Sequence, residues 1–123
     1  MDYTVSLDRD LGAVRVRITG PQTLAICQAA LIAAIAAARP ARVSRFLVDV
    51  KEATTGIDTF DLFDLIANFD EYGFKHGDRI AVALAVARSN PKTDQWGELV
   101  AENRGWQVRA FETVEEAEAS LLA

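Results

Sequence analysis

The sequence contains very little cysteine and no excess of positive charge, and each shortage argues against a class of protein. Cys27 is the single cysteine among 123 residues, so the chain has no internal disulfide framework and no cysteine spacing for a metal. The 18 acids outnumber the 13 lysines and arginines, and the net charge of −5 argues against nucleic-acid binding through neutralised phosphates. We therefore expect a reduced, cytoplasmic setting and no nucleic-acid partner.

The sequence also lacks the patterns of a signal peptide and of a membrane span. The N-terminus, MDYTVSLDRD, carries acids where a signal peptide has a basic start and an apolar core. The longest apolar stretch is an alanine-rich segment interrupted by Gln28, so no membrane span is predicted. Because 50% of the residues are hydrophobic and 25% are charged, residues 1–123 are predicted to form a single globular domain.

Alternating residues at the start of the chain predict a β-hairpin. Its strands are Tyr3 to Leu7, YTVSL, and Ala13 to Thr19, AVRVRIT, with the turn residues DRDLG between them. Every second residue of the second strand is apolar, so Arg15 and Arg17 are predicted to face away from the core. Two neighbouring arginines could bind an anion, but a solvated face of the sheet is the simpler interpretation.

An apolar helix is predicted from Leu24 to Ala38, with Thr23 as its N-cap and Arg39-Pro40 as its end. So few of its positions are polar that the helix is either buried on most sides or covered by a partner, and a homodimer is therefore plausible. We interpret Cys27 on this helix as a small core residue rather than a nucleophile, because no neighbour in the sequence would activate its thiol.

The organising stretch of the sequence is Phe46 to Val50, which reads FLVDV. Strands buried on both faces read as continuous apolar runs, so this run is predicted to be a central strand of the sheet. In open α/β sheets, ligands and partners meet the loops at the carboxyl ends of such strands. The predicted working surface therefore begins at Asp49 to Gly56.

Strands and helices alternate in the rest of the chain. The predicted elements are a helix from Thr59 to Tyr72 between the N-cap Asp58 and the stop Gly73, a strand from Arg79 to Val86, a helix from Thr93 or Asp94 to Arg104, a strand from Trp106 to Phe111, and a helix to Leu122 opened by the capping box Thr113-Val114-Glu115-Glu116. The order ββαβαβαβα predicts an α/β domain with a largely parallel five-stranded sheet and helices packed on it.

The sequence contains no complete catalytic constellation. The acids Asp58, Asp61 and Asp64 suggest a divalent metal, but acids near a helix N-terminus are more simply explained by the helix dipole. The single histidine, His76, is predicted to lie at the opposite end of the sheet from the central loop, with no nucleophile in reach. We predict that the chain has no metal, no cofactor and no enzymatic activity.

The order of the elements and the central stretch resemble the STAS domains of the anti-sigma-factor antagonist type, and the C-terminal half resembles their SpoIIAA-like branch, also called STAS/SEC14-like. The stretch FLVDVKEATTGI covers the central strand and its loop, and RIAVAL and GWQVRAFETVEEAEASLL cover a later strand and the strand and helix that close the chain. The resemblance implies a single-domain SpoIIAA/STAS-like fold over nearly the whole chain. It also implies a regulatory or binding role.

The resemblance further implies a candidate phosphorylation site. In the anti-sigma-factor antagonists of this family, the loop carries an Asp-Ser-Ser/Thr-Gly motif, and a partner kinase phosphorylates the first hydroxyl residue. Here Ala53-Thr54-Thr55-Gly56 stands in that place, so Thr54 corresponds to the phosphoacceptor, while Ala53 replaces the acid. A phosphate on Thr54 would be favoured by the following helix N-terminus but repelled by Asp58 and Asp61.

SEC14-like members are taken to bind lipids or other apolar molecules, for which Phe60, Phe63, Phe74 and Trp96 are candidate pocket residues. Core residues are the simpler interpretation of these aromatics. We predict that a protein partner or a small apolar ligand binds the loops after the central strands, through Thr54, Thr55, Gly56, Asp58, Phe60, Ser89 and Asn90. The alternatives are a phosphorylatable switch on Thr54 and, third, metal or phosphoryl chemistry on aspartates.

Asp49 resembles the phosphoacceptor of a receiver domain. A receiver also needs a pair of acids after its first strand and a lysine at the end of its last strand, and the sequence has neither. We therefore interpret Asp49 as an acid at a strand end that accepts hydrogen bonds from neighbouring loop amides.

Overall fold

A computed structural model describes residues 2–84 and 98–123 of the chain. The strands are β1 (Tyr3–Asp8), β2 (Ala13–Ile18), β3 (Arg45–Asp49), β4 (Arg79–Ala83) and β5 (Gln107–Phe111). The helices are α1 (Leu24–Ala41), α2 (Thr59–Ala67), α3 (Phe69–Tyr72), α4, of which residues 98–103 are described, and α5 (Val114–Leu122).

The five strands form one sheet in the order β1-β2-β3-β4-β5. The hairpin pair β1 and β2 is antiparallel, and the three other pairs are parallel, with Val48 of β3 opposite Val16 of β2 and Val82 of β4. The largely parallel five-stranded sheet predicted from the sequence is confirmed. Because β2 to β5 run in the same direction, their carboxyl ends meet at one edge of the sheet.

The core consists of one apolar layer on each face of the sheet. The larger layer lies between the sheet and the helices α1, α2 and α3, and it contains Phe46 and Val48 of the central strand. The smaller layer lies under α5, where Leu47 packs with Ala117 and Leu121. The central strand is thus buried on both faces, as its continuous apolar run predicted.

Two helix boundaries differ from the prediction. The helix α1 continues through Pro40 to Ala41 and ends at Arg42, which adopts the left-handed conformation (φ 57°) and donates its backbone N–H to the carbonyls of Ala38 and Arg39. A proline in the last turn removes only one backbone donor, so the helix ends with this left-handed cap rather than at the proline.

The predicted single helix from Thr59 to Tyr72 is divided at Asn68 into α2 and α3. The side-chain amide of Asn68 donates to the backbone oxygen of Asp64 at 2.9 Å and to its carboxylate at 2.8 Å. Such a bond competes with the helical hydrogen bonds, and Asn68 leaves the helical conformation at φ −109° and ψ 15°. Gly73 ends α3 in the left-handed conformation, as predicted.

The length and composition of α1 would allow it to cross a membrane, with a mean hydropathy of 1.7 over its 18 residues. One such helix is weak evidence for a span, because the core helix of a soluble protein meets the same criterion. Here α1 packs against β1 and β2, with Cys27, Leu31 and Ile35 in the core. Its outer face, which includes Ile32, is exposed.

An ion pair between Arg39, in the last turn of α1, and the buried Asp78 stabilises the C-terminal end of this helix. The carboxylate of Asp78 is 3% exposed and accepts hydrogen bonds from Arg39 at 3.2 and 2.6 Å. It also accepts the backbone N–H of Lys75 at 2.8 Å, and Arg39 donates to the carbonyl of Gly73 at 2.9 Å. These bonds join α1 to the connection between α3 and β4.

Candidate functional site

The loop after β3, residues 50–58, is held at the edge where the parallel strands end. The backbone N–H of Val50 donates to Ala83 at the end of β4 at 3.0 Å, and that of Thr54 donates to Gly20 after β2 at 3.0 Å. The backbone N–H of Gln22 contacts both the carbonyl and the hydroxyl of Thr55 at 3.3 and 3.2 Å. The loop therefore has a defined position across the ends of β2, β3 and β4.

Most of the predicted site residues come together at this edge. Thr54, Thr55, Gly56 and Asp58 are exposed along the loop. Asp58 is the N-cap of α2, as predicted, and its carboxylate accepts the backbone N–H of Asp61 at 2.8 Å. The predicted contributions of Ser89 and Asn90 lie outside the described residues.

The outer face of α2 carries two phenylalanines. Phe60 follows the loop directly and is 88% exposed, which is unusual for a large apolar side chain. Phe63 is also exposed, and the guanidinium of Arg104 from α4 lies 5.2 Å from the centre of its ring. The side chains of Phe60 and Phe63 thus form an apolar patch beside the loop.

A cavity of about 170 Å³ lies under the same loop, between the sheet and the helices. Branched residues of the sheet form its floor, including Val16, Val48, Val50, Ile80, Val82 and Val108. Cys27, Ala30 and Leu31 of α1, with Leu62, Leu65 and Ile66 of α2, form its walls.

The phenylalanines predicted as pocket residues do not line this cavity. Phe60 and Phe63 are on the outside, and Phe74 packs in the core with its ring centre 5.1 Å from that of Phe46. Trp96 lies outside the described residues. Phe74 is thus a core residue, which is the simpler interpretation of these aromatics. Phe60 and Phe63 line neither the core nor the cavity, because periodicity places a residue on a helix face without showing what faces it.

Small side chains mark the cavity instead. Ala30 and Ala53 are completely or nearly buried on its lining, where a larger apolar residue would fill the space. An alanine in an alanine-rich helix has high intrinsic helix propensity, so the sequence offers a sufficient reason for Ala30 without a cavity. The cavity beside Ala30 cannot be predicted from the sequence, because it also depends on the strands that face α1.

Cys27 belongs to the apolar wall of the cavity. Burial raises the pKa of the Cys27 thiol to about 11, and a hydrogen bond with the Gln22 side chain lowers it only in part. A thiol with this pKa stays neutral at physiological pH and is a poor nucleophile. This agrees with the interpretation of Cys27 as a core residue.

The aspartates proposed for metal chemistry lie on different faces of the sheet. Asp49 is on the α5 side with Leu47, whereas Asp58 and Asp61 belong to α2 on the other side. The carboxylate of Asp49 accepts the backbone N–H of Lys51 at 3.0 Å, as predicted for an acid at a strand end. Within residues 2–84 and 98–123, no three His, Cys, Asp or Glu side chains form a group suited to a metal.

The remaining candidates lie away from the loop. His76 stacks on Trp106 with ring centres 4.1 Å apart, near the start of β4, at the end of the sheet opposite the loop. Arg15 pairs with Asp8 and Glu118, and Arg17 pairs with Glu52. Since both arginines already have carboxylate partners, an anion would have to displace them.

No protein-family model matches the sequence, and no curated protein matches it. The structure is similar to the crystal structure of an anti-sigma factor antagonist from Mycobacterium paratuberculosis, with a TM-score of 0.57 and 15% identity. The similarity covers 98% of this chain and 95% of that chain. At this identity the likeness shows the fold and assigns no residue a role. The chain therefore has the SpoIIAA-like (STAS) fold that the resemblance in the sequence implied.

Proposed function

We propose that this protein is a non-enzymatic regulatory domain that binds a protein partner through the loop Thr54–Asp58 and the outer face of α2. The observation that carries the proposal is Phe60, whose side chain is 88% exposed directly beside that loop. Exposed apolar side chains grouped at one place are typical of interaction surfaces. Phe63 extends the apolar surface along the same helix.

The negative charge of the segment that carries this surface favours a partner with a basic surface. Between residues 58 and 71 the sequence contains five acids and no lysine or arginine, the acids being Asp58, Asp61, Asp64, Asp70 and Glu71. Complementary potentials increase the rate of association and discriminate against partners of like charge. We therefore propose a partner whose surface combines basic residues with an apolar pocket for Phe60.

The proposal is tested by capturing partners from a lysate of the native host on immobilised protein. Phe60→Ser is expected to lose the captured partner while it keeps the melting temperature of the wild type, because Phe60 contributes little to the core. Leu122→Ser is the matched control, since Leu122 is also 62% exposed but lies on α5, across the sheet. Equal capture by the two variants would contradict the proposed surface.

A small apolar ligand is the second candidate, and the cavity under the loop supports it. The loop residues Thr55, Gly56 and Ile57 line the cavity as well as facing the proposed partner surface. A ligand in the cavity and a partner on α2 would therefore both contact the loop after β3.

A switch on Thr54 is the alternative within the same fold. The side chain of Thr54 is exposed, and its backbone N–H donates to the carbonyl of Gly20, so the backbone at Thr54 has a defined position in the loop. The carboxylates of Asp58 and Asp61 at the start of α2 would repel an added phosphate. Phosphorylation would thus weaken the loop's present arrangement and could release a bound partner.

The predicted homodimer remains a proposal. The outer face of α1 exposes Ala25, Ala29, Ile32 and Ala36, and no charged residue occurs between Pro21 and Ala38. A second copy is the occupant that we propose for this face. The cytoplasmic location likewise remains a prediction from composition.

A further inference from the structure

The cavity under the loop differs from an ordinary core defect in its size and its lining. Protein interiors are packed as densely as organic crystals and contain few voids larger than a water molecule. This cavity measures about 170 Å³, and an apolar cavity of roughly 150 Å³ accepts benzene and stays free of water. A molecule with about six carbon atoms therefore matches the volume.

The cavity lining is apolar at depth. Its floor is the inner face of four neighbouring strands, from Val16 on β2 to Val108 on β5. The Cys27 thiol in the wall is buried and neutral, so it acts as an apolar surface. The deep part of the cavity is thus suited to a hydrocarbon chain or a single ring.

Strongly polar side chains are few on the described lining of the cavity. Among the described lining residues, the side chains of Gln22, Thr55 and Glu98 are the strongly polar ones. Thr55 is exposed, and its hydroxyl and carbonyl contact the backbone N–H of Gln22, so these two residues share one end of the cavity. Glu98 of α4 is partly exposed and therefore also lies within reach of solvent. Glu98 carries the single formal charge of the described lining.

We propose that the cavity binds a small apolar molecule of about six carbons whose polar end is neutral or cationic and lies among Gln22, Thr55 and Glu98. The amide of Gln22 and the hydroxyl of Thr55 can each donate or accept a hydrogen bond. Glu98 attracts an ammonium group and repels a carboxylate. The inference rests on the apolar-ligand candidate above and adds the size and charge of the ligand.

The test uses three probes that share one chain and differ in the charge of the head group: hexylamine, hexan-1-ol and hexanoate. Their dissociation constants are measured at neutral pH from the shifts of valine and isoleucine methyl resonances. We expect saturable binding of hexylamine and hexan-1-ol, with perturbed methyls in the cavity lining. Hexanoate is expected to bind about ten-fold more weakly than hexylamine because of Glu98.

Two variants separate the parts of the proposal. Ala30→Leu places a larger side chain in the cavity and is expected to weaken binding of hexan-1-ol at least about ten-fold. Glu98→Gln alters a partly exposed residue at the cavity end, so it should fold normally and bind hexanoate and hexylamine with similar affinity. Leu122→Ser, on the opposite face of the sheet, is expected to leave all three affinities unchanged.

The possible negative results separate the charge selectivity, the location of the ligand and the apolar-ligand candidate itself. If none of the probes binds saturably, both the inference and the apolar-ligand candidate are overturned. If all three bind equally well to the wild type, the charge selectivity is wrong while the candidate stands. Binding that persists in a folded Ala30→Leu protein would place the probes outside the cavity and overturn the inference.

Discussion

Replacing Asp78 by asparagine is expected to destabilise the protein far more than any other single charge removal in the described chain segments. Asp78 is 3% exposed, and its carboxylate accepts two hydrogen bonds from Arg39 and one from the backbone of Lys75. The asparagine side chain can keep the backbone bond but cannot neutralise the guanidinium. Arg39 would then remain beside a buried neutral group.

The magnitude follows from the burial of Asp78 and the partial exposure of Arg39. Removing one member of a buried ion pair costs roughly 3–5 kcal/mol, because the other charge loses its partner. The Arg39 side chain is partly exposed and can recover some hydration, so we expect a loss of about 3 kcal/mol. For a domain of this size, that loss corresponds to a decrease in melting temperature of about 10 °C.

The assay is urea unfolding followed by circular dichroism, with Glu52→Gln as the matched control. Glu52 also pairs with an arginine, Arg17, but the two side chains are 59% and 51% exposed. An exposed pair contributes roughly 0–1 kcal/mol, so the control should unfold close to the wild type. A loss below about 1 kcal/mol for Asp78→Asn, equal to that of the control, would refute this account of the pair.

Two further predictions concern Cys27 and Thr54. Burial raises the pKa of the Cys27 thiol from 9.0 to about 11, so its contribution to stability is complete below pH 9 and is lost as the pH rises toward 11. Relative to Cys27→Ala, the wild type should lose about 2 kcal/mol of unfolding free energy from pH 8 to pH 11, and parallel pH profiles in urea titrations would contradict this. If the protein is a binding module without a switch at Thr54, the variants Thr54→Ala and Thr54→Glu, the second of which mimics a phosphate, should capture the partner as well as the wild type does. A large decrease in pull-down yield for Thr54→Glu alone would instead support the phosphorylatable switch.

The order and type of the elements could be predicted from the sequence because they depend on local patterns. Alternation in AVRVRIT, the continuous run FLVDV and the caps Thr23 and Asp58 each lie within a few neighbouring residues. The two wrong helix boundaries also have local causes. A side-chain hydrogen bond from Asn68 divides one predicted helix, and α1 continues through Pro40. Both depend on a balance of single hydrogen bonds that a pattern does not resolve.

The loop residues of the candidate site could be predicted for a similar reason. The rule that sites form at the carboxyl ends of parallel strands needs only the strand order, and it placed Thr54 to Phe60 at the edge where these ends meet, as the structure has them. Phe60 and Phe63 line neither the core nor the cavity, because the sequence shows that they share a helix but not which side of that helix the sheet covers. Burial is a property of the assembled layers.

The sequence by itself determined the α/β class, the buried central strand and the loop that follows it, since each is encoded in contiguous residues. The tertiary structure alone decided the rest. Asp78 meets Arg39 across 39 positions of the chain, and Phe63 meets Arg104 from a different helix. The described lining of the cavity comes from four strands, four helices and the loop after β3, and no single stretch of sequence can encode a volume that exists only between them.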